Sequence, residues 1–343
     1  MYSEIEIDNA VKAGALSPQA AEAFRNHVAA QRALPAVDEE HFRLLSGFND
    51  IFVGIAIALM LVAVAQIGAV IASWLGGAAV AVTAWLLAEF FTLKRRMALP
   101  SILLLIAFVG GVAGMLVAAM AAIDPDVSQQ ANMAIIAGIG LIATGAAWLH
   151  WRRFGVPITI AAGALGIAAM FVSIGIALYP PLDDYVWPLL LVSGVAIFLL
   201  AMRWDISDPL RQTRRADVAF WLHLTAAPLI AHSVFRMLGV FNSDIGPGVA
   251  AIVLALYLAF GFVALAVDRR ALLVSSLAYV LYALYAVIAK AGAVELSAAL
   301  AALVIGSALL TLSIFWHPMR RQAVAMLGTL GRKLPPVAMP AAA

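Results

Sequence analysis

Between residues 51 and 316 the chain falls into ten apolar stretches, at about 51–72, 74–93, 99–121, 132–150, 156–178, 186–202, 217–239, 248–267, 271–289 and 296–316. A helix needs about 20 mostly apolar residues to cross the hydrocarbon of a bilayer. Lipid offers the backbone no hydrogen-bonding partner, so each stretch must pair its N–H and C=O groups internally, as a helix. Composition agrees, with 64% of the 343 residues hydrophobic and 12% charged; a soluble domain has about half and about a quarter. The expected fold is all-α: a polytopic membrane helix bundle of ten spans. The sixth stretch is the shortest, and the join between the first two is tight around Ser73.

The connections alternate in sign. Lys94, Arg95 and Arg96 follow the second span, Arg152 and Arg153 the fourth, and Arg203, Arg211, Arg214 and Arg215 the sixth. Arg269 and Arg270 follow the eighth; Arg320, Arg321, Arg332 and Lys333 follow the tenth. Of 21 basic residues only Arg236 and Lys290 fall on the opposite side, where the loops carry Asp124, Asp126, Asp183, Asp184, Asp244 and Glu295. The positive-inside rule then places both termini in the cytoplasm. Trp74 and Trp187 fall at the outer edges, and Trp148, Trp151, Trp204, Trp221 and Trp316 at or near the inner ones, as an aromatic belt would. The two halves share no matching motif that would mark an inverted repeat.

The chain divides into a cytoplasmic helical segment (1–47), the transmembrane bundle (48–317) and a basic, then Pro/Ala-rich cytoplasmic tail (318–343). Ile7, Ala10 and Val11 line a first short helix that Gly14 stops. Ser17-Pro18 starts a second, with serine as cap and proline at the first helical position; Ala21, Phe24 and Val28 form its apolar stripe. So short a pair cannot bury a core of its own. It must dock on the membrane domain, on a protein partner or on the lipid surface. No apolar core follows a basic start in the first 45 residues, so the first span is expected to direct insertion. The basic tail is expected to lie along anionic lipid headgroups, and its Pro/Ala-rich end to lack fixed structure.

Residue patterns that carry chemistry are few. The chain has no cysteine, which excludes disulfides, thiolate metal sites and cysteine nucleophiles. Hydrolase, zinc-protease and nucleotide-binding signatures are missing, so the expectation is no enzyme, no cofactor and no metal, and nothing calls for nucleic acid. Gly110 and Gly114 have the G-x-x-x-G spacing that lets helices approach closely; Gly138, Gly140 and Gly145 read the same way.

The seventh span concentrates the polar residues: His223, His232, Arg236 and an internal proline, Pro228. Ionisable groups inside a span are costly and face the bundle interior or a water-filled cavity. His232 and Arg236, four apart, share a helix face. His223 and His232, nine apart, lie on opposite faces of a straight helix. Pro228 is a candidate hinge, because it frees a carbonyl one turn earlier. The candidate polar path is His223, His232, Arg236, Glu89, Tyr257 and Tyr282. Each has a structural alternative. His223 can be a buried hydrogen-bonder, Arg236 can reach outer headgroups or Asp244, and Glu89 can pair with Arg95 or Arg96. Tyr257, Tyr279, Tyr282 and Tyr285 can simply pack, each with one hydrogen bond. His150 and His317, beside Trp and Arg, read as interface residues. In the loop Arg203–Asp217 four arginines face three aspartates, suggesting ion pairs or anionic-lipid contact.

Two segments carry a resemblance. V-K-A-G-A-L-S-P-Q-A-A-E-A-F, from Val11 to Phe24, resembles the start of the bacterial predicted-membrane-protein domain of unknown function. S-D-P-L-R-Q-T-R-R-A-D-V-A-F-W-L-H-L-T-A-A-P-L-I-A-H, from Ser207 to His232, is similar to a segment of uncharacterised alphaproteobacterial inner-membrane proteins. The resemblance implies a multi-pass protein of a bacterial inner membrane and assigns no functional residue.

Two functions remain open. One is a secondary transporter of a small solute. The other is a non-transport component, such as an assembly factor, sensor or complex subunit, binding a partner through residues 1–47. A solvated cavity reaching the middle of the bundle, lined by His223, Glu89 or the tyrosines, favours the first. A dry, glycine-packed bundle with an apolar patch on the N-terminal helices favours the second.

Overall fold

A computed structural model of the chain describes residues 4–31, 48–123, 127–208, 211, 213–240, 247–290, 296–331, 334–335 and 337. Two short helices, α1 (Glu4–Lys12) and α2 (Pro18–Gln31), precede the spans. The spans are α3 (Phe48–Ile71), α4 (Ser73–Ala88), α5 (Ala98–Ile123), α6 (Gln129–Phe154) and α7 (Ile158–Leu178), then α8 (Val186–Ser207), α9 (Arg214–Met237), α10 (Pro247–Val267), α11 (Ala271–Lys290) and α12 (Ser297–Ile314). An amphipathic α13 (Trp316–Met326) follows, and no strand occurs among the described residues. Among the described residues ten helices are thus long and apolar enough to cross a membrane, α4 with its π-helical continuation Glu89–Lys94, and the chain is a multi-pass membrane protein.

The chain forms two compact units, Met1–His41 with Val337–Ala343, and Phe42–Pro336. In the first, Ser17 caps α2 through its Oγ, which accepts from the Ala20 amide at 3.1 Å, and Gly14 takes the left-handed backbone that ends α1 (φ 72°). Ala21 is buried and Phe24 is 41% exposed. The second unit extends beyond residue 317, because α13 packs on α10 and α12.

Local chemistry sets the helix ends. Ser128 caps α6 by accepting from the Ala131 amide at 3.3 Å. Gly155 closes α6 in the left-handed region (φ 64°), with Arg152 and Arg153 in its last turn, where cations meet the negative end of the helix dipole. The join near Ser73 is shorter than a loop: one extended residue, Ala72, separates α3 from α4.

Hydrophobic burial does not drive helices together in lipid, so close backbone contact and hydrogen bonds must. The closest pairings are α4 on α5, α6 on α7 and α8 on α9. Gly77 and Gly111 face each other across the first, and a Cβ on Gly111 would come within 2.8 Å of the Ala81 amide nitrogen. Gly140 meets Gly166 across the second, with a Cβ 2.9 Å from its carbonyl. The expected Gly110–Gly114 contact does not form: both positions, like Gly138 and Gly145, have nothing within 4 Å. They point outward, and the packing glycines lie one turn-phase away.

Three apolar clusters result among the described residues. One joins α3, α4 and α5 through Ile57, Ala84 and Leu104. A second joins α7, α8 and α9 through Ala161, Ala201 and Leu222. A third runs from α9 to α13 through Phe235, Val253, Val280, Ile305 and Trp316. Helix α9 belongs to the last two, and packs on α7, α8 and α11. It is also the most enclosed span. His223 and Ser233 of α9 are therefore enclosed by protein, as their cost in lipid requires, whereas Arg236 near the other end is exposed. Trp316, expected at the interface, is buried instead.

Candidate functional site

Helix α8 carries Asp205 in its last turn, α9 carries His223, and the turn between α10 and α11 carries Arg269. All three are buried, Asp205 at 1% and His223 at 3% exposure. His223 Nε2 lies 2.8 Å from Asp205 Oδ2. Arg269 donates from Nη2 to Asp205 Oδ1 at 2.6 Å and from Nε to Oδ2 at 3.4 Å. A second Nη2 bond, 3.2 Å to the Ala216 carbonyl, ties Arg269 to the first turn of α9. One carboxylate thus receives an imidazole and a guanidinium from two other elements. A buried carboxylate needs such partners, because an isolated charge there is far too costly. The His223 ring meets the face of Phe198 edge-on, at 5.1 Å between centroids. The space beside it, walled by Phe198, Val263, Val267 and Leu272, has no room for a water molecule.

A second carboxylate sits next in sequence to Arg269. Asp268 has a left-handed backbone (φ 62°). Its Oδ2 accepts from Arg211 Nη1 at 2.9 Å, and its Oδ1 from the Trp316 indole at 2.8 Å. Arg320 Nε lies 3.4 Å from the same oxygen, and Arg320 Nη2 donates to the Pro335 carbonyl at 2.7 Å. Arg270 stacks over Trp316 at 4.8 Å. Asp208 caps α9 indirectly: its Oδ2 holds the Thr213 amide (2.9 Å) and hydroxyl (2.7 Å), and Thr213 accepts from the Arg215 amide. The basic-side ends of α8, α9, α10, α11 and α13 are thereby held by three aspartates. Arg320, expected to lie along headgroups, is fully buried.

The other sequence candidates do not join this cluster. His232 hydrogen-bonds through Nδ1 with the Tyr279 hydroxyl, and its ring meets Trp187 edge-on at 5.2 Å. Arg236 stacks over the same Trp187 at 5.1 Å; Asp244 lies outside the described residues. Along the helix, the nine residues from His223 to His232 span roughly 13 Å. Helix α9 runs through Pro228 without a break in its helical backbone. Glu89 pairs with Arg153 of α6, at 2.8 and 2.6 Å, rather than with Arg95 or Arg96. Tyr257 is buried, and its hydroxyl has no hydrogen-bond partner among the described residues; Tyr282 is 42% exposed. His150 is not an interface residue. It is fully buried, 3.4 Å from the Thr159 hydroxyl and ringed by Trp85, Phe108 and Phe154.

Sequence reasoning found His223 but missed Asp205, Arg269, Asp268, Arg211 and Arg320. A signal existed. Asp205, Asp208 and Asp268 are acids set among the arginines of the basic-side connections, where topology needs no acid. Among the described residues no group of His, Asp and Glu is placed to hold a metal ion. Comparisons with protein-family models, with curated proteins and with solved structures find no match.

Proposed function

We propose that this protein is a non-transport component of a bacterial inner membrane, an assembly factor, sensor or complex subunit that binds a partner through residues 1–47. One observation carries the reading. The ionisable group deepest on the basic side of the most enclosed span, His223, is closed in by Asp205, Arg269 and Phe198 with no space for water. A solute or proton path needs a hydrated, exchangeable group at such a place; an assembled scaffold needs a fixed one. The glycine contacts between α4 and α5 and between α6 and α7 are likewise static packing. On the N-terminal pair, exposed Phe24 offers an aromatic anchor of the kind that dominates partner interfaces. The basic loops add attraction to anionic headgroups on the cytoplasmic side.

A secondary transporter is the second reading. It draws on the His232–Tyr279 pair near the other end of α9, which with Pro228 between the two sites would let the helix work as two segments. Cross-linking in native membranes, with and without residues 1–31, separates the readings. The full chain is expected in a larger species that the deletion reduces to the 36.1 kDa scale of the single chain, with the spans still inserted. A full chain that stays single, with proton flux in reconstituted vesicles that His223→Gln abolishes, would establish transport instead.

A further inference from the structure

Helices α10 and α11 are joined by the turn Asp268–Arg270, which both aspartate clusters hold. At the opposite end of the same hairpin they do not close on each other. A cavity of about 220 Å³ lies between the first turns of α10 and the last turns of α11, its floor formed by Val253, Val280 and Ala283. All of its lining side chains are alanine, valine or leucine. The floor is buried, whereas Ala251 and Leu254 on the rim are exposed. Both helices are membrane spans, so the opening faces hydrocarbon.

An apolar cavity of this order does not take up water, and binds apolar molecules. Left empty, it forfeits dispersion contacts over its whole lining. Helices in lipid also lack the hydrophobic force that would squeeze such a gap shut in water. The hairpin is pinned at its basic end, and only aliphatic side chains line the gap at the other. We propose that this cleft binds one acyl chain of a phospholipid from the leaflet opposite the basic loops, entering laterally between Ala251 and Leu254. The bound chain completes the packing of α10 on α11.

The test uses the full chain with a benzophenone amino acid at Leu284, on the cleft, or at Leu258, on the open surface of α10. Each is reconstituted with phosphatidylethanolamine and phosphatidylglycerol, returned to a lipid-free detergent and then irradiated. The expected result is a phospholipid adduct at Leu284 and only detergent adducts at Leu258. Native mass spectrometry should show one phospholipid retained by the wild type and lost in Ala251→Leu, which fills the rim. Detergent alone at Leu284, a cross-link there to a second copy, or full lipid retention by a folded Ala251→Leu would each overturn the proposal. If Ala251→Leu does not fold, the Leu284 adduct decides.

Discussion

Arg269 and Asp205, 64 residues apart in sequence, meet at 2.6 Å with both side chains out of solvent. The contact fastens the α10–α11 turn to the end of α8 and, through the Ala216 carbonyl, to the start of α9. Taking two charges from water is costly, and the pair recovers that cost only through geometry and further hydrogen bonds. Removing one partner strands the other. Asp205→Ala should therefore lose about 3–5 kcal/mol of stability, read by thermal or denaturant unfolding in detergent. Asp205→Leu combined with Arg269→Met should lose clearly less than Asp205→Ala, because no charge remains buried. Equal losses would show that the pair itself is not what the site depends on.

The glycines make a sharper contrast. Gly111 and Gly114 lie three residues apart on α5, yet a Cβ at Gly111 meets the Ala81 backbone and one at Gly114 meets nothing. Overpacking a closed contact costs about 1–3 kcal/mol. Gly111→Ala should fall in that range as α4 and α5 are forced apart, and Gly114→Ala should match the wild type or gain slightly from helix propensity. Thermal melts of the two variants side by side check this, and the reverse order would mean that the outward glycines carry the packing.

Orientation is accessible to labelling, since the chain has no cysteine of its own. A single cysteine at Asp183 should react with an impermeant maleimide in whole cells. Cysteines at Arg95, Arg152 and Arg270 should react only after the membrane is opened. Labelling of Arg95→Cys or Arg270→Cys in intact cells would reverse the topology.

The spans were legible in the sequence because lipid imposes one rule on every segment that crosses it. All ten expected stretches correspond to helices long and apolar enough to cross, and Ser17-Pro18 starts α2 as its residues require. Which glycine packs was not legible. Gly110, Gly111 and Gly114 are equally small, and only the rotation of α5 against α4 selects Gly111. The polar cluster was half legible. His223 stands out within an apolar run, but Asp205 and Arg269 sit at helix ends where charges are ordinary, and their pairing depends on how α8 and the α10–α11 turn converge. Glu89 shows the same limit: nearby Arg95 and Arg96 compete in sequence, yet Arg153 is delivered by another helix. The bidentate pair it makes is only partly buried, at the ends of its two spans, so Glu89→Gln is expected to change the melting temperature little.

His223 carries the central claim, that the buried cluster is a structural fastening rather than a path for protons. His223→Ala leaves Asp205 short of a hydrogen bond, at a cost of about 1–3 kcal/mol. His223→Gln keeps a donor within reach of Asp205 but cannot titrate. The decisive measurement compares wild type, His223→Ala and His223→Gln for thermal stability in purified form and for complementation of a chromosomal deletion. Alanine should destabilise, and glutamine should recover most of the stability together with full complementation. A glutamine variant as stable as the wild type that nevertheless fails to complement would contradict the account and make His223 a proton carrier.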